Sequence, residues 1–180
     1  TRHTLESRAL TVSKTRDVVL YQPATKEPVP LLVVFDGQDY LERTKLNVMV
    51  DNLIAAKRIQ PIAMAFLFNG GQDPRMLEYG CSGMTLLLLK YVLLPRVSGQ
   101  VKLVDVSRPP RAFGVLGASM SGLMALYTGL RMPQVFGKVI SQSGAFEMGE
   151  DVMVTTPLVQ HGPAQPIHVW MDAGRYEWLR

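Results

Sequence analysis

The sequence predicts a single α/β domain, residues 1–180, in which helices cover both faces of a mainly parallel β-sheet. Three observations lead to this fold class. Short apolar runs typical of strands alternate with segments whose apolar residues recur at helical spacing. The run LLVVF at residues 31–35 is uninterrupted, as expected for a strand that is buried on both faces. Hydrophobic residues make up 47% of the 180 residues and charged residues 19%, which is enough to fill one core.

The elements follow one another as alternating strands and helices. Six segments have the apolar character of strands, at residues 17–22, 31–35, 61–68, 111–116, 137–141 and 167–172. Pro23 ends the first strand, and a proline-containing loop runs on to residue 30. Residues 46–59 carry apolar side chains at helical spacing and predict an amphipathic helix. Residues 85–94 predict a buried helix that ends at Pro95, and a third helix follows Ser119 directly.

The segment most informative about function is residues 114–122, GVLGASMSG. An apolar run leads into Ser119, which stands between small residues, and a helical segment begins at once. This layout is typical of a nucleophile elbow, where a strand turns sharply into a helix and exposes a strained serine. The fifth position of G-x-S-x-G is Ser121, and Gly122 comes one place late. An ordinary strand-to-helix turn with a capping serine would give the same pattern, so both interpretations stay open.

Composition excludes several classes of protein. The 19 basic and 15 acidic residues give a net charge of +4, and the basic residues are scattered without interleaved aromatics, which disfavours nucleic-acid binding. No apolar run reaches the roughly 20 residues of a membrane span. Residues 1–13 are polar and show no signal peptide, so we expect a soluble protein of the cytoplasm or periplasm. Cys81 is the single cysteine and is expected to be a small core residue.

Five blocks of the sequence, in order, are similar to blocks of one family. They are LLVVFDGQ at 31–38, the helix and strand entry at 51–61, Arg-x-x-Glu-x-x-Cys at 75–81, FGKVISQSG at 136–144 and Gly-x-x-Glu at 174–177. The chain thereby resembles the ferric enterobactin (enterochelin) esterases and the esterases grouped with them, which have the α/β-hydrolase fold. The resemblance runs from about residue 16 to the end of the chain.

This resemblance implies a role for Ser119 and for the residues around the oxyanion. Ser119 would attack an ester carbonyl and form an acyl-enzyme that water hydrolyses. The oxyanion would be bound by the backbone N–H of Met120 and by the turn at Gly37 and Gln38. Gly37 would also contact the substrate, although an ordinary turn glycine would look the same in the sequence.

Arg75 and Glu78 fall in a segment that we predict to be a polar loop. The resemblance implies that both side chains line the pocket and bind or orient the substrate. A solvated charged pair with no role in binding is the alternative. Nothing in the sequence decides between the two.

The acid and the base of a catalytic triad are less well marked. The resemblance assigns the acid to Glu177, with Asp172 as the alternative. The family carries its base in a Gly-Gly-His segment after the acid, and no such segment occurs by Arg180. We therefore expect that the chain lacks a C-terminal segment holding that histidine together with the last strand and helix, which would expose a sheet edge.

Three histidines are present, and all precede Glu177 in the sequence. His3 lies in the polar N-terminal segment, His161 in a loop containing glycine and proline, and His168 in the last predicted strand. We expect His3 to be exposed and His168 to be a core or edge-strand residue. His161 is left as an unconventional candidate base.

The predicted function is a serine carboxylic-ester hydrolase of the enterobactin-esterase type. The resemblance implies a small-molecule ester as substrate, with a siderophore lactone as the family's emblematic case, and no metal or organic cofactor. The alternative is a non-catalytic α/β-hydrolase-like protein that binds a ligand or a partner through a retained pocket.

Overall fold

The structure, a computed structural model, describes residues 1–6, 14–106, 112–148 and 151–177. Nine strands occur in it: β1 (Arg2–Glu6), β2 (Thr15–Tyr21), β3 (Leu31–Phe35), β4 (Ala63–Leu67), β5 (Phe113–Ala118), β6 (Phe136–Gln142), β7 (Glu147–Met148), β8 (Asp151–Val152) and β9 (His168–Asp172). Seven strands form one sheet in the order β1-β2-β4-β3-β5-β6-β9, and β7 and β8 form a separate hairpin. The strands from β4 to β9 in this order are parallel, whereas β1 and β2 are antiparallel additions at one edge.

The parallel strands bring their following turns to one edge of the sheet. β3 is central, with Val33 opposite Ala65 of β4 on one side and Val115 of β5 on the other. The carboxyl ends of parallel strands point the same way, and this edge is where α/β proteins bind ligands. The turns after β3, β5, β6 and β9 therefore lie in the region where a site is expected.

Helices cover both faces of the sheet, as predicted. They are α1 (Gly37–Glu42), α2 (Leu46–Ala55), α3 (Gln72–Tyr79), α4 (Gly83–Leu88), α5 (Leu94–Ser98), α6 (Met120–Arg131) and α7 (Thr155–His161). Alternate residues of β3 point to different cores: Val33 packs with residues of α3, α4 and α6, and Val34 packs with residues of α1 and α2. The uninterrupted apolar run at 31–35 follows from this burial on both faces.

The buried helix continues beyond its predicted end at Pro95. A π-helical turn, Leu89–Leu93, joins α4 to α5, and Pro95 falls in the first turn of α5. A proline lacks the N–H that an inner helical position must donate, and its ring crowds the carbonyl four residues earlier. The wider turn thus lets one continuous helical segment pass the proline.

Two segments that we predicted as loops are helical. Residues 72–79, which include Arg75 and Glu78, form α3, and His161 ends α7. The sequence of α3 lacks the usual stripe of apolar residues on its buried face, because Glu78 occupies one of the buried positions. The predicted helix at 46–59 ends at Ala55, and Lys57 after it has a left-handed backbone with φ of 55°. Arg111, where the fourth strand was predicted to begin, lies outside the described residues.

β9 is the last strand at its edge of the sheet, and all five of its residues are exposed. It pairs in parallel with β6 from His168 opposite Lys138 to Asp172 opposite Gln142. Across the described ranges, no single helix has both the length and the apolar composition of a membrane span. The bent pair Gln72–Tyr79 and Gly83–Ser98, at 89° to each other, meets these two criteria jointly.

Candidate active site

Ser119 occupies the sharp turn between β5 and α6. Its φ of 58° and ψ of −124° are unusual for a residue with a side chain, and such a backbone costs about 1–3 kcal/mol. Hydrogen bonds hold the strained residue on both sides. Its N–H donates to the Gln142 carbonyl at 2.9 Å, and its carbonyl accepts from the N–H groups of Leu123 at 3.0 Å and Ala145 at 3.1 Å. The serine is exposed, so the geometry fits a nucleophile elbow.

The small residues around Ser119 are required by close backbone contacts. A Cβ on Gly117 would overlap the backbone carbonyl of Ser121, and a Cβ on Gly122 would lie 3.0 Å from Ser141 Oγ and 3.1 Å from the Gln142 carbonyl oxygen. Ser121 is buried, and its hydroxyl donates to the Ala118 carbonyl at 2.8 Å and accepts from the Ala118 N–H at 2.9 Å. The close approach to β6 thus falls on Gly122, and the Ser121 side chain is accommodated at the fifth position of the motif by its hydrogen bonds to Ala118.

Ser119 opens into a cavity of about 540 Å³, a size typical of small-molecule sites. The residues that line it come from the ends of β5 and β6, from the turns after β3 and β5, from α1 and the segment that follows it, and from α3: Asp36, Asp39, Tyr40, Arg43, Thr44, Arg75, Ala118, Ser119 and Gln142. Arg75, which we predicted to bind substrate, is among them. The cavity therefore offers both cationic and anionic groups beside the serine.

A network of hydrogen bonds fixes Asp36 at one wall of this cavity. Asp36 has a left-handed backbone with φ of 51° and is 5% exposed. Arg75 donates from Nε to both carboxylate oxygens at 2.9 Å and from Nη2 to Oδ2 at 2.7 Å. Asn69 Nδ2 donates to Oδ1 at 2.7 Å. The hydrogen bonds to Asp36 raise the pKa of Arg75, so the guanidinium stays charged.

The residues predicted for the oxyanion site stand at the starts of two helices. Gly37 begins α1 and is buried, and a Cβ there would lie 2.5 Å from the Phe66 carbonyl carbon. Gln38 follows it, and its Oε1 accepts from the Asn69 N–H at 3.2 Å. Met120 is buried and begins α6 directly after the serine. The tight packing on Phe66 is sufficient to explain the glycine at position 37.

The structure separates Arg75 from Glu78, which we predicted to line the pocket together. Glu78 is 5% exposed and forms an ion pair with buried Arg16 of β2. Its backbone carbonyl accepts from Thr85 Oγ1 at 2.7 Å. Within the described residues, Glu78 is not among those that line the Ser119 cavity. The solvated charged pair is also wrong, because Glu78 lies in the core and Arg75 pairs with Asp36.

Both candidate acids lie at a second cavity, of about 600 Å³, beyond the end of β6. Ser143 connects them to that strand: its N–H donates to the carbonyl oxygen and to Oδ1 of Asp172, each at 3.0 Å. The Ser143 hydroxyl donates to Glu177 Oε1 at 2.5 Å. This hydrogen bond, with a further one from the Gly174 backbone, lowers the pKa of Glu177. Asp172 and Glu177 therefore remain alternatives for the acid.

Sequence reasoning missed a hydrogen bond that crosses the serine cavity. Tyr40 of α1 donates its hydroxyl proton to Oε1 of Gln142, the last residue of β6, at 2.6 Å. Burial and the nearby carboxylates, Asp36 foremost, raise the pKa of Tyr40, which keeps the hydroxyl protonated. Gln142 lies within the block at 136–144 that resembles the family, and this was the only feature of the sequence that could have pointed to a role for Gln142 in the site.

The three histidines lie in elements other than those that form the serine cavity. His3 Nε2 is 3.0 Å from Thr1 Oγ1, His161 ends α7, and His168 begins the exposed edge strand β9. None of them lines the Ser119 cavity in the part of the chain that the structure describes. Over the same residues, no three His, Cys, Asp or Glu side chains form a group suited to a metal ion. Cys81 packs against the core, and burial raises its pKa to about 11.

The sequence of the chain is similar to that of a known protein family. The sequence model of the family described as "Putative esterase" matches residues 10–177. The iron(III) enterobactin esterase of Dickeya dadantii (strain 3937) is 32% identical over 163 residues, which are 82% of this chain and 37% of that protein. The iron(III) enterobactin esterase of Escherichia coli (strain K12) is 32% identical over 123 residues, 68% of this chain and 30% of that protein. The chain thus spans about a third of the length of these relatives.

A solved structure shares the fold. The enterobactin esterase from Shigella flexneri, crystallised in the presence of 2,3-di-hydroxy-N-benzoyl-serine, matches with a TM-score of 0.82 and 24% identity over 94% of this chain and 44% of that one. This likeness confirms the predicted α/β-hydrolase-type fold. The family match and the identity to two curated relatives confirm the predicted resemblance. The chain belongs to the putative esterase family.

Proposed function

We propose that the protein is a serine carboxylic-ester hydrolase of the enterobactin-esterase type. The observation that carries this proposal is Ser119, an exposed serine held in a strained turn at the carboxyl end of β5 and open to a cavity of about 540 Å³. The esterase names of the relatives support the same chemistry. No observation favours a non-catalytic binding protein.

In the proposed reaction, Ser119 Oγ attacks the ester carbonyl and its proton passes to a base. The tetrahedral oxyanion collapses, the alcohol leaves with a proton, and water then releases the acid from the acyl-enzyme. Met120 and Gln38 would donate backbone N–H groups to the oxyanion. Both stand in the first turn of a helix, where N–H groups have no acceptor within the helix and the helix dipole favours negative charge.

The proposed acid is Glu177, with Asp172 as the alternative. In the family the base is a histidine that follows the acid in the sequence, and the acid orients it and stabilises its charged form. Both carboxylates are fixed through Ser143, which follows β6 next to the cavity wall residue Gln142. The proposed substrate is a small-molecule ester, with a siderophore lactone as the first compound class to examine.

Hydrolysis of 4-nitrophenyl butyrate tests the proposal. The chain, its Ser119→Ala variant and a matched Ser98→Ala variant, altered at an exposed serine of α5, are assayed with and without added imidazole. Imidazole can act as an external base, and a base contributes about 10²–10⁴-fold to such reactions. We expect a turnover that Ser119→Ala loses and Ser98→Ala keeps. Equal rates for all three proteins, corrected for the reaction of imidazole alone, would refute Ser119 as the nucleophile.

A further inference from the structure

The turn after β3, residues 36–38, is held by more hydrogen bonds than a connecting turn requires, and we call this set of contacts the clamp. Asp36 leaves β3 in a left-handed conformation, and its buried carboxylate accepts hydrogen bonds from Arg75 and Asn69. Left-handed backbone in a residue with a side chain persists only where the surroundings enforce it. Gly37, the next residue, is pressed against the backbone of Phe66. The turn therefore has little room to shift toward or away from β4.

Asn69 joins this turn to the loop after β4 through both its side chain and its backbone. Its side-chain Nδ2 donates to Asp36 Oδ1 at 2.7 Å, while its backbone N–H donates to Gln38 Oε1 at 3.2 Å. The side-chain oxygen of Asn69 accepts from the Gly71 N–H at 3.1 Å, which fixes the orientation of the amide. One residue thus holds Asp36 and Gln38 at the same time.

Arg75 joins the same turn to α3. Its planar guanidinium grips the Asp36 carboxylate through two nitrogen atoms, a geometry that fixes direction as well as distance. The hydroxyl of Tyr79, one helical turn later, accepts a hydrogen bond from the Asp36 N–H at 3.4 Å. The Tyr79 ring packs edge-on against the Phe35 ring, with 5.3 Å between the ring centroids. α3 is itself fastened to the sheet by the buried ion pair of Glu78 with Arg16.

We infer that Asn69 and Arg75 are positioning residues that hold the turn at residues 36–38, and with it the Gln38 N–H, in place for the developing oxyanion. The inference rests on the proposed function for the oxyanion assignment. It gives Arg75 a role other than direct substrate binding, because two of its nitrogen atoms are engaged by Asp36. Preorganised donors are effective because they do not have to reorganise during the reaction.

Residue-resolved amide hydrogen exchange tests the clamp without substrate. The variants are Asn69→Ala and Arg75→Lys, which keeps the charge but not the planar fork. The controls are Asn52→Ala and Arg58→Lys, at exposed positions on and after α2. We expect exchange at Asp36, and at Asp39, whose N–H donates to the Asp36 carbonyl at 3.0 Å, to rise about tenfold or more in the clamp variants. Val33 and Ala65 in the central sheet should exchange as in the unaltered protein.

Ester hydrolysis supplies the readout that a merely structural role would not move. With 4-nitrophenyl butyrate, kcat of Asn69→Ala should fall about tenfold to a hundredfold while KM stays within about twofold. Unchanged exchange at Asp36 and Asp39 would overturn the inference, as would equal acceleration at Val33 and Ala65. These assays contain imidazole as the external base. If the unaltered chain hydrolyses no ester under these conditions, the proposed function fails, and the exchange rates still decide whether the clamp exists.

Discussion

The nucleophile turn, residues 117–122, and the acid loop, residues 172–177, are built in opposite ways. Both follow the carboxyl end of a parallel strand, β5 for the first and β9 for the second. The nucleophile turn lies between β5 and α6, and most of its residues are buried. The acid loop leaves an edge strand whose residues are all exposed, and the loop is exposed as well. Within the described residues, packing of the surrounding elements positions the serine, whereas hydrogen bonds with Ser143 position the carboxylates.

The glycines of the two regions show the same difference. A Cβ on Gly117 would overlap the backbone of Ser121, which cannot move without altering the start of α6. A Cβ on Gly174 would lie 2.6 Å from Oε1 of Glu177, the far end of a flexible exposed side chain. An added methyl group therefore meets a rigid obstacle in the nucleophile turn and a movable one in the acid loop.

The largest expected effect is that of Gly117→Ala. Because the new methyl group would overlap backbone, we expect the free energy of unfolding to fall by about 3 kcal/mol, the upper part of the usual range for overpacking. Urea unfolding measures the change. Gly83→Ala is the matched control, since no atom outside its own helical turn and its chain neighbours lies within 4 Å of its added Cβ. A loss at position 117 no larger than at position 83 would contradict the account of the nucleophile turn.

Gly174→Ala should have a much smaller effect on the same measurement. The carboxylate of Glu177 can rotate away, so the free energy of unfolding should change by no more than about 0.5 kcal/mol, as for most surface substitutions. The rotation should weaken the Ser143–Glu177 hydrogen bond. If Gly174→Ala lowered the free energy of unfolding as much as Gly117→Ala does, the acid loop would be as rigid as the nucleophile turn. The proposed difference between the two regions would then be wrong.

The smallest expected effect on stability comes from the titration of Glu177. Hydrogen bonds from Ser143 and Gly174 lower the pKa of this carboxyl in the folded protein. Its contribution to stability is therefore present above the ordinary glutamate pKa and is lost as the pH falls through the lowered value. Because the carboxylate is exposed, this contribution is strongly screened by solvent.

Carboxyl NMR titration follows this pKa directly. Ser143→Ala removes the first donor and should move the pKa of Glu177 upward, toward the ordinary glutamate value. A pKa that is the same with and without the Ser143 hydroxyl would show that this hydrogen bond does not fix the acid loop in solution.

The sequence was sufficient for most of the sheet and for the serine, and the reason is local. The apolar run at 31–35 is apolar because those positions are buried. The residues around Ser119 are small because those positions are in close contact with neighbouring backbone. The partners within the cavity are set by contacts between distant segments. Asp36 and Arg75 are 39 residues apart, and Tyr40 and Gln142 are 102 residues apart, so no local pattern marks these pairs.

The prediction for Glu78 failed for a related reason. A charged residue in a polar stretch reads as exposed, because carboxylates are almost never buried without a partner. The partner here is Arg16 of β2, 62 residues away, which the sequence does not connect to α3. The helix α3 was missed with it, since its buried face is partly made by that ion pair.

The measurement that tests the central claim most directly is covalent labelling with a fluorophosphonate, followed by intact-mass and peptide analysis. The labelling is carried out with added imidazole as the external base. In this reaction Ser119 Oγ forms a bond to phosphorus while fluoride leaves and the serine proton passes to the imidazole, so it requires an accessible, nucleophilic serine. We predict one adduct per folded chain, on the peptide containing Ser119, absent from Ser119→Ala and retained in Ser98→Ala. Labelling that persists in Ser119→Ala, or a folded chain that takes no label at Ser119, would contradict the account.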